Sequence, residues 1–248
     1  MVVKAYNVLR YEFSHHKLLT APVPEAYLKA ASELIVFMLV VGWISTGASA
    51  FNNNIVLNTI HGYPTVWEGV DYHPASALAS IIYGCAQFLI VRFGMLDMRR
   101  SWSHKHSMSR MTLRFSLVSD VLLLVSCTVL PVTFVVNSDE SQWAHTLPYL
   151  FFVLSHMMVV AANFNEAPEN NWAEHMTSQA FLAVYIGVSL MLVVLQIVNM
   201  VLYDSHLPCV YWGFTFVLDY LWVVCLLLTS IMLPDGGPIE ATFFGSPN

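Results

Sequence analysis

The chain has 248 residues, of which 57% are hydrophobic and 10% charged, and its mean hydropathy is +0.61. Soluble domains carry about 25% charged residues, so the charges here are too few to cover a water-facing surface, which excludes a soluble globular fold. The net charge is −6, and with no basic face beyond one loop, no nucleic-acid partner is expected.

In chain order, residues 1–30 mix Lys4, Arg10, Glu12, His15, His16 and Lys17 and lack the short apolar core of a cleavable signal. They read as a cytoplasmic N-terminal segment, with a mitochondrial address as the second reading of the same basic stretch. Six apolar segments follow, at 31–51, 75–96, 115–136, 146–164, 177–203 and 209–233. Such lengths suit a hydrocarbon layer of ~30 Å. The predicted fold is an all-α, six-helix transmembrane bundle over 31–233, with N- and C-termini cytoplasmic and 234–248 as a C-terminal tail. On the first span Gly42, Thr46 and Ala50 repeat every four residues, a spacing that lets helices pack closely in lipid. Pro131 should interrupt the third span, leaving a carbonyl for a neighbouring helix to satisfy.

Orientation follows from the positive charges. All ten Lys and Arg lie between Lys4 and Arg114, four of them within 1–30 and six from Arg92 to Arg114. Two spans separate these regions, so both fall on one side, and positive residues accumulate on the cytoplasmic side. The 97–114 and 165–176 loops are then cytoplasmic, the latter carrying Glu166, Glu169 and Glu174, and the 52–74 loop is exterior. Arg99, Arg100, Lys105 and Arg110, with Trp102 among them, are expected on the anionic leaflet, where membrane lipids are the partner.

Ionisable residues at membrane depth are functional candidates. Glu33 falls in the first turn of span one and reads as interfacial. Asp120 lies six residues beyond Arg114, within reach of Arg114 or Arg110 folding back. His156 and Asp219 each fall ten residues into their spans, which predicts matched depth and either a direct pair or separate bonds to other polar groups. Cys85, Cys127, Cys209 and Cys225 are scattered singly, giving no disulfide framework and no zinc site. His61, His73, His145 and His206, with Glu68, Asp71 and Asp204, gather toward the exterior without helix-spaced pairs, and read as solvated rather than metal-binding. No two spans offer matched mid-depth histidines for haem, and no later span holds a Lys for a Schiff base, so no cofactor is expected.

Several local sequences carry a family resemblance. Ile44-Ser45-Thr46-Gly47 closes span one, Ile90-Val91-Arg92-Phe93 closes span two, Ala144-His145 opens span four, and Asp219-Tyr220 sits in span six. With six spans, a long first exterior loop and a basic second loop, the chain resembles the damage-regulated autophagy modulator superfamily, whose Ile-Ser-Asp-Thr-Gly is matched without its Asp. That resemblance implies a non-enzymatic protein of lipid handling, signalling or trafficking in an endomembrane or plasma membrane. Two other classes stay open: an accessory subunit of a respiratory or ATP-synthase complex, with membrane-protein partners, and a small transporter or lipid-processing enzyme.

Overall fold

Long apolar segments can cross lipid only if the backbone bonds to itself, which a helix achieves within one segment. The computed structural model describes residues 3–13, 23–53, 70, 73–106, 108–136, 141–166, 176–205 and 212–234, and these contain helices and turns but no strand. The helices are α1 (Val3–Phe13), α2 (Pro24–Asn53), α3 (Ala75–Ser103), α4 (Arg110–Val129), α5 (Val132–Val135), α6 (Gln142–Glu166), α7 (Met176–Asp204) and α8 (Trp212–Met232). Six are long and apolar enough to cross a membrane, with α4 and α5 together making the third. Consecutive spans pack on one another and α8 returns to α2, closing a ring in chain order.

α2, α3, α6 and α7 outrun their apolar segments. α2 starts at Pro24, whose fixed φ suits a first helical position, and its 30 residues measure ~45 Å. Glu33 therefore lies more than two turns inside α2 and is buried, not in the first turn as its place in the apolar segment suggested. It holds α1 in place: the Lys4 backbone N–H donates to Glu33 Oε2 at 3.2 Å. A carboxylate at the first turn of α1 meets both the free amides and the positive end of the helix dipole. Lys4 Nζ donates to the Ser230 carbonyl near the end of α8. At the other end of α1, Glu12 Oε1 accepts from Arg92 Nε and Nη2 at 3.2 and 3.0 Å and from the Tyr27 hydroxyl. Ala5 and Val8 face the bundle, whereas Val3, Tyr6, Asn7 and Arg10 face outward at the same helical spacing.

Pro131 breaks the third span as expected, with α4 ending at Val129 and α5 resuming at Val132. Lacking an N–H, Pro131 cannot bond the carbonyl four residues back, which is that of Cys127. Two side chains of α3 take it instead, the Tyr83 hydroxyl at 2.7 Å and Gln87 Nε2 at 3.2 Å.

Candidate functional site

The buried charges meet where the start of α2, the end of α3, the early turns of α4 and the end of α6 come together. Arg100 is at the centre. Its guanidinium bonds Glu25 of α2 and Asp97 of its own helix, lies 3.6 Å from Glu166 Oε2 and donates to Asn163 Oδ1 at 3.4 Å, both on α6. Arg100 is 3% exposed, so it does not lie on the lipid surface beside Arg99, where its place in the basic segment had put it. The reason is helical phase. α3 continues to Ser103, and Ala86, Ile90, Phe93, Asp97 and Arg100 repeat at three or four residues on its buried side. Arg99, one residue earlier, points outward and is exposed. Glu166 ends α6 and joins this junction, so it is not part of an acidic loop; Glu169 and Glu174 lie outside the described residues.

Asp120 enters the junction from α4. The expected pairing with Arg114 or Arg110 does not form: both arginines are exposed, while Asp120 is 1% exposed. Its carboxyl faces that of Asp97, and neither of its buried oxygens has a hydrogen-bond partner among the described residues. Nearby hydroxyls are engaged elsewhere. Ser101 and Ser116 lie 2.9 Å apart, and Ser119 Oγ donates to the Ser116 carbonyl at 2.8 Å.

Deeper in the bundle, His156 and Asp219 are both buried but do not meet. His156 Nδ1 pairs with the Tyr185 hydroxyl of α7 at 2.6 Å, while Asp219 Oδ1 accepts from the Tyr149 hydroxyl of α6. The depth match failed because Asp219 meets α6 at Tyr149, before His156 along that helix. Tyr149 lies seven residues before His156 on α6, a difference of two turns or ~10 Å. Trp222 packs edge-on against Tyr149 at 5.7 Å and Phe152 at 6.4 Å between ring centroids, and Tyr185 sits edge-on to His156 at 6.0 Å. These contacts join α6, α7 and α8.

The Tyr149–Asp219 bond sets an expected result. Asp219→Asn keeps an acceptor oxygen for Tyr149 and should leave thermal stability in nanodiscs nearly unchanged. Asp219→Leu leaves the hydroxyl buried without that acceptor and should cost about 1–3 kcal/mol. Equal loss in both variants would remove the bond from the account of α6–α8 packing.

On the surface at the junction end, Arg99, Lys105 and Arg110 are exposed, and Trp102 is 53% exposed with Lys105 Nζ 4.8 Å from its ring centre. At the opposite end His145 Nδ1 lies 2.8 Å from the Val136 carbonyl, and Asp204 accepts from Trp143 Nε1. His73 is exposed near Ser76, and His61, Glu68, Asp71, His206 and Cys209 lie outside the described residues. Among the described residues no three His, Cys, Asp or Glu side chains converge to hold a metal ion.

The sequence pattern pointed to Asp120, His156 and Asp219 but missed their partners. Asp97 was legible as an i,i+3 companion of Arg100. Glu25, Tyr149 and Tyr185 had no such signal, since they come from other helices. The fold defines a multi-pass α-helical membrane protein whose buried polar groups join helix to helix. No protein-family model, curated protein or solved structure matches the chain.

Proposed function

We propose that the chain is a membrane regulator or adaptor of lipid handling, signalling or trafficking, which engages anionic lipid headgroups through the loop between α3 and α4. The observation that carries this reading is the separation of two arginines adjacent in sequence. Arg100 is buried in ion pairs within the bundle, whereas Arg99, Trp102, Lys105 and Arg110 are exposed. An exposed indole beside an ammonium suits the headgroup layer, where one part is apolar and the other wet. The end of the bundle bearing this loop is the cytoplasmic one by its positive charge, and the resemblance to the damage-regulated autophagy modulator superfamily supports a lipid-linked role.

The test uses the whole protein in nanodiscs of neutral lipid, titrated with a short-chain phosphatidylinositol phosphate. Saturable binding is expected, and Arg99→Gln, Lys105→Gln and Arg110→Gln should each weaken it about fivefold, the equivalent of about 1 kcal/mol per basic residue. Equal binding by all three variants and the wild type would leave the charges with a role in orientation alone and overturn the reading.

A further inference from the structure

The junction holds one guanidinium against four carboxyls: Glu25, Asp97, Asp120 and Glu166. Arg100 is committed to the other three and leaves Asp120 without a cation. Among the described residues neither oxygen of Asp120 has an N–H or O–H donor, although both are buried. This side chain comes from a different helix and faces Asp97, one of the carboxyls that Arg100 already holds.

An ionised carboxylate only accepts hydrogen bonds, so two facing carboxyls bond only when one carries a proton. Two negative charges at that separation repel strongly where water is excluded. The contact to Arg100 keeps the negative charge on Asp97, which leaves the proton to Asp120. We propose that Asp97 and Asp120 form a proton-binding site: one shared proton holds α4 against α3, and it passes to water when that contact opens. The charged groups bearing on the pair are Arg100 on α3, Glu25 on α2 and Glu166 on α6, so the proton reports on the packing of four helices at once. Releasing it sets a fourth carboxylate beside one guanidinium, and the junction at this membrane face loosens. The site does not depend on lipid binding by the loop.

The sign of the pH effect follows from proton counting. The folded state holds a proton that unfolded carboxyls, titrating near 4, have already lost at neutral pH, so stability falls as pH rises. The experiment is thermal unfolding in nanodiscs across about pH 6 to pH 9, with infrared spectra of the folded protein at each pH. Wild type should melt at lower temperature as pH rises and show a carboxylic-acid C=O band. Asp120→Asn, whose amide donates to Asp97 at every pH, should flatten the pH slope and lose that band. Asp120→Glu should keep both. An Asp120→Asn variant with the wild-type slope and an unchanged acid band would overturn the site. If neither variant folds, the wild type still decides, because a melting temperature that is level or rises over this range overturns it too.

Discussion

Arg100→Met should cost the bundle about 3–5 kcal/mol, the range for breaking a buried ion pair from one side. The substitution preserves much of the side chain's volume while removing the cation that Glu25 and Asp97 bond and that Glu166 approaches at 3.6 Å. Those carboxyls are buried and cannot recover their lost interaction from water. Arg100→Lys retains the charge but not the planar fork that reaches several acceptors at once, and should fall between wild type and Arg100→Met. Arg99→Met is the control one residue away. Arg99 is exposed, and surface substitutions of this kind stay within about 0.5 kcal/mol. Unfolding by denaturant in a fixed detergent measures all three. Equal stability of Arg99→Met and Arg100→Met would mean that the junction contributes nothing to holding the four helices together.

That pair of arginines marks where sequence reasoning reached its limit. Six spans were legible because each contains a long apolar window with few charges, a pattern that hydropathy detects directly. Helix ends were not. Glu25 and Lys29 in α2, and Asp97, Arg99 and Arg100 in α3, lower local hydropathy without stopping the helix. Setting the limits at the apolar residues moved Glu33 to a first turn and Arg100 to a loop. Counting from the apolar residues also gave His156 and Asp219 a common depth, whereas Asp219 bonds Tyr149, two turns before His156 on α6. Helical phase was the information left unused, since the buried side of α3 runs on at three- and four-residue steps through Asp97 to Arg100. Partners from distant helices are another matter. Nothing local in Tyr149 or Tyr185 distinguishes them from the exposed tyrosines Tyr203 and Tyr220, and only packing assigns them to Asp219 and His156.

Trp222→Ala should produce a loss of similar size at the other polar layer, again about 3–5 kcal/mol, the range for removing a large aromatic from a packed interior. Trp222 is fully buried, and its ring lies edge-on to both Tyr149 and Phe152. Between helices in lipid the attraction comes from close packing and not from release of water, so an emptied volume of indole size has no compensation. The loss also frees Tyr149 to turn away from Asp219, which removes a bond between α6 and α8 along with the contact. Trp222→Phe separates the two contributions of an indole. Nε1 of Trp222 is buried, faces the Tyr185 hydroxyl without hydrogen-bond geometry and has no other acceptor among the described residues. Phenylalanine deletes that unsatisfied donor while retaining a ring against Tyr149 and Phe152, so it should cost less than half of what alanine does. If Trp222→Phe were as damaging as Trp222→Ala, the indole N–H would be bonded in the folded protein, and the layer would be held by a polar chain running from His156 through Tyr185 to Trp222 and not by ring packing.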